Sequence, residues 1–389
     1  MLDAIREKVR RGERLDFDDG VALFLEPDLL AVGALANEVR ERRHGDRTYF
    51  NRNMRVEVTN VCVASCLFCS FAKLEEHMPG AHTMSLDEAW NELASRMNDP
   101  GGPPTEVHVV NGLHPGLPFS YYEDLLRGFK RIDPKVHLKC FTAVEIHFFA
   151  KHYGMTYREV LEKLRAAGLD SLPGGGAEIF DEQVRSKISA DKATATEYLE
   201  VHRVAHQMGL RTNSTMLYGH IETFAHRVDH ILRLRALQDE TGGLQAFIPL
   251  AFHPDGNGMK NMPAPTAVDD LRTIAVSRLL LDNVDHIKAY WVSLTPDVAQ
   301  IALRFGADDI DGTIVHETIY KAAGSKSPGA LGYDELVRLI REAGRIPIER
   351  DTLYNVVREH PRAETPEAAL KPRERVRPRL HVVNNGGTP

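Results

Sequence analysis

Short apolar runs rich in β-branched residues alternate with amphipathic segments along most of the chain. Eight of these runs have the length and composition of β-strands. They are MRVEVTN (54–60), TEVHVVN (105–111), VHLKCFTAV (136–144), LDSLPG (169–174), LRTNSTMLY (210–218), LQAFIPLA (244–251), IKAYWVS (287–293) and DIDGTIV (309–315). Segments with helical spacing of apolar residues separate them, and this alternation predicts parallel strands joined by crossover helices.

Capping signals mark where several of these helices begin and end. A Ser/Thr-x-x-Glu sequence predicts a helix start, because the hydroxyl and the carboxylate each accept a hydrogen bond from a free backbone N–H. It occurs at Ser85–Glu88, Ser120–Glu123, Thr156–Glu159 and Thr194–Glu197. Glycines that can close a helix precede later strands at 168, 209 and 306. Eight such repeats predict an α/β fold of the (β/α)8 TIM type, and an open doubly wound sheet is the alternative.

The two ends of the chain differ from the repeating region at 51–343. Residues 1–50 have helical spacing and predict an N-terminal helical extension. Residues 344–361 include the apolar stretch RIPI and predict a C-terminal extension that packs on the barrel. Residues 362–389 are rich in proline and charge without periodicity, so we expect a mobile tail there.

The charge and hydropathy of the chain argue against nucleic-acid binding and against insertion into a membrane. The net charge of -7 and the pI near 6.2 provide no basic field to attract nucleic acid. The N-terminal residues mix charge with short apolar runs, so they predict neither a signal peptide nor a membrane span. We therefore expect a cytoplasmic protein that acts on small molecules.

Three of the four cysteines lie in one short segment. Cys62, Cys66 and Cys69 follow the first predicted strand with the spacing C-x3-C-x2-C, while Cys140 lies inside the third strand. A closed zinc site or a four-cysteine cluster needs a fourth ligand, which a buried Cys140 does not supply. Three thiolates on a [4Fe–4S] cube leave one iron open. The alternative, three free thiols on an exposed loop, would be prone to oxidation.

This motif at the first strand of an eight-unit barrel resembles the radical SAM superfamily. The resemblance implies a [4Fe–4S] cluster whose open iron binds S-adenosylmethionine (SAM), and a one-electron reductant such as flavodoxin or ferredoxin. Phe68, just before the third cysteine, matches the aromatic residue usual in that superfamily.

Further stretches resemble the branch with the menaquinone futalosine-pathway enzymes and the deazaflavin-forming synthase. They include VVNGLHPGLPFSYY (109–122), SLPGGGAEIF (171–180), TMLYGHIET (215–223) and FIPLAFHPDGNGM (247–259). The similarity is greatest to the aminodeoxyfutalosine synthase family. It implies a transferase that adds the 5′-deoxyadenosyl radical to 3-[(1-carboxyvinyl)oxy]benzoate, with SAM as co-substrate, to form 6-amino-6-deoxyfutalosine.

The resemblance also indicates candidate binding residues. Phe68, Gly112, Glu145, Gly175 and Glu178 are expected to contact SAM. We expect substrate contacts from residues on or after strands, namely Arg185, Asn213, Tyr218 and His253. His253 is also the candidate catalytic residue.

Three alternatives remain open at this level. Cyclic dehypoxanthinyl futalosine synthase shares much of the pattern, although it typically has a second glycine where this chain has Asn111. A deazaflavin-forming type of enzyme would use the same radical to abstract hydrogen. A non-enzymatic iron–sulfur electron carrier would bind a cluster without reacting with SAM.

Overall fold

The computed structural model describes residues 1–99, 101–315 and 317–363, and within them the strands form two sheets. The strands are Arg47–Asn51 (β1), Asn53–Val56 (β2), Glu106–Val109 (β3), His137–Cys140 (β4), Ser171–Leu172 (β5), Arg211–Tyr218 (β6), Leu244–Ala251 (β7), His286–Ile287 (β8), Asp309–Gly312 (β9), Ile346–Arg350 (β10) and Val356–Glu359 (β11). The helices are Leu2–Arg11 (α1), Phe17–Leu25 (α2), Leu29–His44 (α3), Leu86–Ala94 (α4), Phe119–Ile132 (α5), Ala143–Tyr153 (α6), Tyr157–Ala167 (α7), Glu182–Ile188 (α8), Ala195–Gln207 (α9), Phe224–Thr241 (α10), Ala267–Leu280 (α11), Trp291–Leu294 (α12), Pro296–Ala302 (α13), Ile319–Ala322 (α14) and Tyr333–Glu342 (α15).

The larger sheet is a curled run of parallel strands in the order β2-β3-β4-β5-β6-β7-β8. Each strand pairs with the next one along the chain, as in a barrel and unlike a doubly wound sheet. The segment around β9 lies between the two ends of this run. A single bridge joins Lys288 to Asp309 on one side, and another joins Met54 to Val315 on the other.

The predicted TIM-type α/β fold is therefore confirmed, although single bridges rather than full ladders join the β9 segment to the two ends of the seven-stranded sheet. Seven of the eight predicted strand segments contain most or all of a strand, whereas 287–293 shares only Ile287 with β8 and its last three residues lie in α12. The open doubly wound alternative is excluded, because that fold requires a reversal in strand order.

Helix starts follow the local hydrogen-bonding chemistry of the sequence. Ser85, Thr156 and Thr194 each form the predicted reciprocal capping box with the glutamate three residues later. The box predicted at Ser120 is wrong, because α5 begins at Phe119 with Pro118 as its N-cap, two residues before the predicted cap. An unpredicted box at Thr142 starts α6.

The smaller sheet has the order β11-β10-β1-β9 and joins both ends of the chain to the barrel. The N-terminal extension is thus not wholly helical, because β1 pairs in parallel with β10 and with β9. Residues 344–361 supply β10 and β11, and Ile348 on β10 is fully buried. In the region predicted as a mobile tail, Arg362 donates to Asp46, and residues 364–389 lie outside the described part of the chain. None of the described helices combines the length and apolar character needed to cross a bilayer.

One buried ion pair links β10 to β9. Arg350 Nε donates to Asp309 Oδ2 at 2.7 Å, and both side chains are fully buried. Arg47 on the adjacent strand β1 instead pairs with Glu359 at the surface, where both side chains are about half exposed. The two arginines lie in one sheet and differ mainly in burial.

We expect Arg350→Met to lower the free energy of unfolding by about 3–5 kcal/mol, because Asp309 would keep a buried charge without its partner. The matched change Arg47→Met should cost less than about 1 kcal/mol, because water solvates Glu359. Urea unfolding followed by circular dichroism measures both values. Equal losses in the two variants would contradict the role assigned to the buried pair.

Candidate active site

The three clustered cysteines lie on the segment that follows β2, and backbone hydrogen bonds fix its course. Cys62 N donates to Lys73 O at 2.8 Å and Val63 N donates to Leu113 O at 3.0 Å. Further along, Leu67 N donates to Ile188 O at 2.8 Å. Three separate parts of the chain therefore hold the segment at the carboxyl end of the barrel.

The cysteines have the chemistry of cluster ligands. All three are free thiols, with Cys62 buried and the other two partly buried. Burial raises the pKa of the Cys66 thiol to about 12, although the Lys192 ammonium acts in the opposite direction. Without metal the thiol keeps its proton, so iron binding must displace it. The donor set fits a [4Fe–4S] cluster with three protein ligands and one open iron.

Glycines allow neighbouring backbone to approach this segment closely. A Cβ at Gly112 would lie 2.2 Å from Val61 O, one residue before Cys62. At Gly174 it would lie 2.7 Å from the Ser214 backbone, and the Gly174 carbonyl accepts hydrogen bonds from Tyr198 and Thr215. Both glycines are needed for packing around the site.

A cavity of about 210 Å³ opens beside Phe68 and Cys69 and extends into the barrel. Its walls come from alternate residues of the strands, because successive side chains of a strand point to opposite faces. These inward residues are Arg55, Glu106, His108, Lys139, Asn213, Thr215, Leu217, Ile248, Leu250, Lys288, Tyr290 and Asp311. The Gly174–Gly176 turn and Glu178 complete the wall nearer the cysteines.

A belt of polar side chains, Arg55, His108 and Lys139, forms part of the cavity floor. The ladder registers place Arg55 opposite His108, and His108 opposite Lys139, on adjacent strands. Lys139 Nζ donates to Glu106 at 2.8 Å. None of these three residues is among those predicted from the sequence. The sequence pattern that could have indicated the belt is a charged or polar residue at alternate positions of strands that are predicted to be buried on both faces.

The cavity brings together five of the residues predicted from the sequence. Phe68, Gly175, Glu178, Asn213 and His253 all contribute to its lining. His253 Nε2 lies 2.9 Å from Ser293 O. Glu178 forms an ion pair with Lys192, whose ammonium also lies 5.5 Å from the centre of the Phe68 ring. Lys192, which sequence analysis missed, thus links two predicted SAM contacts.

Glu145 lies behind the cavity wall. Its carboxylate accepts hydrogen bonds from Thr142 N at 2.7 Å and from Asn111 N at 3.1 Å. Burial raises its pKa to about 7, although the hydrogen bonds from Thr142 and Asn111 act in the opposite direction. Glu145 therefore caps α6 and fixes the segment before Gly112. Neither Glu145 nor Gly112 is among the described lining residues of the cavity.

Arg185 and Tyr218, which the sequence predicts as substrate contacts, have polar partners within the protein. The Arg185 guanidinium donates to the backbone carbonyls of Ala193 and Ala177. The Tyr218 hydroxyl donates to Asp270 at 2.6 Å and is fully buried. Because these partners already use their polar groups, and neither residue is among the described lining residues, we do not carry either role forward.

A second cluster with metal-ligating atoms comprises His44, His286 and Asp308. Asp308 accepts hydrogen bonds from His286 Nδ1 at 2.6 Å and from the buried Arg278 guanidinium. The arginine neutralises the carboxylate and repels a divalent cation. This arrangement is that of a buried ion-pair network.

The close contact at Gly112 predicts the effect of a single methyl group. Gly112→Ala would displace Val61 and the adjacent Cys62, so the variant should lose about 1–3 kcal/mol of stability. We also expect it to bind less iron on anaerobic reconstitution. Gly116→Ala is the matched control, because its Cβ would lie 3.3 Å from the His114 side chain. Iron content and urea unfolding test this, and wild-type iron binding in the Gly112 variant would contradict it.

Comparison with known proteins gives consistent family matches. The Radical SAM superfamily profile matches residues 56–234, and the profile described as the CofH/MqnC C-terminal region matches residues 241–363. The chain is 51% identical to an aminodeoxyfutalosine synthase of Thermus thermophilus, over 93% of this chain and 98% of that one. It is 47% identical to an aminodeoxyfutalosine synthase of Streptomyces coelicolor, over 94% and 96% of the two chains.

More distant matches agree with this placement. A cyclic dehypoxanthine futalosine synthase of Halalkalibacterium halodurans is 35% identical, over 95% of this chain and 98% of that one. Among solved structures, the FeFe-hydrogenase maturase HydG from Carboxydothermus hydrogenoformans superposes with a TM-score of 0.70. That match covers 91% of this chain and 80% of HydG at 17% identity, so it supports the fold alone.

The cysteine segment at the mouth of the barrel agrees with these matches. Members of the radical SAM superfamily use a [4Fe–4S] cluster together with S-adenosylmethionine. The chain belongs to the radical SAM superfamily, as an enzyme of the transferase type in the family that contains the aminodeoxyfutalosine synthases.

Proposed function

We propose that this enzyme adds the 5′-deoxyadenosyl group of SAM to the vinyl carbon of 3-[(1-carboxyvinyl)oxy]benzoate, with release of methionine. Aryl migration and loss of the vinyl carboxylate as CO2 then form 6-amino-6-deoxyfutalosine for menaquinone biosynthesis. The observation that carries the proposal is the 51% identity, across almost the full length of both chains, to a relative named for this activity. Identity to the cyclic dehypoxanthine futalosine synthase is lower, at 35%.

In this proposal the three cysteines hold the cluster at the mouth of the cavity. The cluster, when bound, supplies the electron that cleaves SAM to the adenosyl radical. Lys192 and Glu178 lie beside Cys66 and Phe68, where they can orient the charged groups of SAM. The Gly174–Gly176 turn presents backbone without side chains, so a ligand can pack closely against it.

The barrel interior suits a reaction between two bound molecules. Radical addition requires the adenosyl carbon and the vinyl group to meet without water between them. Leu217, Ile248 and Leu250 give the cavity an apolar wall. Asn213 and His253 remain our proposed polar contacts to the substrate, because both line the same cavity. We keep flavodoxin or ferredoxin as the proposed electron donor, and the cytoplasm as the proposed compartment.

The decisive test is product analysis under anaerobic conditions. Reconstituted enzyme, SAM, a reductant and the carboxyvinyloxy-benzoate should yield a product whose mass includes the adenosyl group, because addition retains it. Hydrogen abstraction would instead release 5′-deoxyadenosine in amounts equal to the product. Stoichiometric 5′-deoxyadenosine without an adenosyl-containing product would contradict the proposal.

Cysteine replacement separates cluster ligands from a structural thiol. We expect Cys66→Ala to lose product formation and most of the cluster absorbance, because one iron would lack its ligand. Cys140→Ala is the matched control. Cys140 is fully buried in β4, and its Sγ lies 3.9 Å from Val107 O. This control should keep its cluster and lose only stability. A normal cluster spectrum in the Cys66 variant would refute the ligand assignment.

A further inference from the structure

The cavity floor contains one arginine whose charge no described residue pairs. Lys139 lies 2.8 Å from Glu106, and Lys288 lies 3.6 Å from Asp311. The Arg55 side chain forms neither a hydrogen bond nor an ion pair with any residue in the described part of the chain. Its Nε atom is buried without a partner. A guanidinium carries five N–H donors, and leaving them unused in a protein interior is costly.

Two further polar groups, the Tyr290 hydroxyl and the His108 imidazole, lie beside Arg55. The Tyr290 ring centre is 5.4 Å from the Arg55 guanidinium carbon, and the buried Tyr290 hydroxyl has no hydrogen-bond partner among the described residues. His108 is adjacent to Arg55 in the ladder and also lines the cavity. Burial and the charge of Arg55 hold the pKa of His108 well below its usual value, so this imidazole is neutral.

Arg55 keeps its charge in this position. Burial opposes the charge, but the nearby carboxylates of Glu317, Glu57 and Asp311 outweigh burial and raise the Arg55 pKa. Glu57 does not compete strongly as a partner. Its own pKa rises to about 7 through burial, and its other contact is a hydrogen bond donated by Thr318. One cation and two neutral groups able to donate hydrogen bonds thus face the same space.

We infer that Arg55, with Tyr290 and His108, binds the ring carboxylate of an aromatic acid at the cavity floor and selects for it. This inference rests on the proposed function and adds the residues that recognise the substrate. A carboxylate can accept two hydrogen bonds from one guanidinium, with further lone pairs for the hydroxyl and the imidazole. The carboxylate would accept hydrogen bonds from N–H and O–H groups that have no partner among the described residues.

The depth of Arg55 decides which of the two substrate carboxylates it binds. Arg55 and His108 lie within strands, whereas Phe68 and Gly175 lie on segments that follow strands, nearer the cysteines. The vinyl group must reach the adenosyl carbon at the cysteine end of the cavity. The aromatic ring then points inward, and its carboxylate reaches the floor.

Equilibrium binding without reductant tests this inference, because no turnover can occur. Two probes are titrated into SAM-loaded holoenzyme: the carboxyvinyloxy-benzoate, and its analogue in which an amide replaces only the ring carboxylate. Wild-type enzyme should bind the acid about 10–100-fold more tightly, as expected for charge-assisted hydrogen bonds. Arg55→Gln should remove this preference by weakening binding of the acid, and Arg55→Lys should restore part of it.

Controls separate this role from a structural one. Arg211→Gln changes an exposed arginine at the start of β6 and should leave both affinities unchanged. Tyr290→Phe should weaken acid binding by about fivefold, in line with one lost hydrogen bond. This second variant keeps the inference testable if an Arg55 variant folds poorly. The spectral change that SAM causes in the cluster should be the same in all variants.

The possible results are distinguishable. Wild-type enzyme that prefers the acid through Arg55 but makes no adenosyl-containing product would refute the proposed function and support this site. Equal affinity of wild-type enzyme for acid and amide would overturn the inference. Equal weakening of both probes by Arg55→Gln would also overturn it, because Arg55 would then bind the other carboxylate.

Discussion

Alternation of side chains along the strands of a nearly closed ring is the constraint on which this structure depends. Because successive residues face opposite sides, each strand contributes one set of side chains to the helical layer and one to the interior. On β2, Met54 and Val56 pack outward in the core, while Arg55 faces inward. An interior lined in this way combines an apolar wall with a few charged groups, which suits a polar aromatic ligand.

The cysteine segment depends on that ring for its position. Its own residues form no regular secondary structure, and the hydrogen bonds that its backbone amides donate to the carbonyls of Leu113, Lys73 and Ile188 define its path. Glu145 adds to this support from behind, since it caps α6 and accepts hydrogen bonds from Asn111. A residue expected to contact the cofactor thus stabilises the backbone on which the cofactor site is built.

The two ends of the chain also contribute to the barrel. Strand β1 pairs with β9, and β10 pairs with β1, so a four-stranded sheet covers the side where the barrel ladder is incomplete. The buried Arg350–Asp309 pair connects this sheet to β9. Asp311, two residues later, lines the cavity. The extensions therefore support the strand that forms part of the cavity floor.

The sequence by itself determined the barrel class, seven of the eight strand positions, three of the four predicted capping boxes and the three cysteines, because these depend on local periodicity and spacing. It also placed Phe68, Gly175, Glu178, Asn213 and His253 near one cavity, since residues at the carboxyl ends of parallel strands meet at one face. Only the tertiary structure decided that Arg185 and Tyr218 are held by structural partners, and that Arg55, His108 and Tyr290 face one space. Those facts depend on ladder register and on contacts between residues far apart in the chain, which no local pattern specifies.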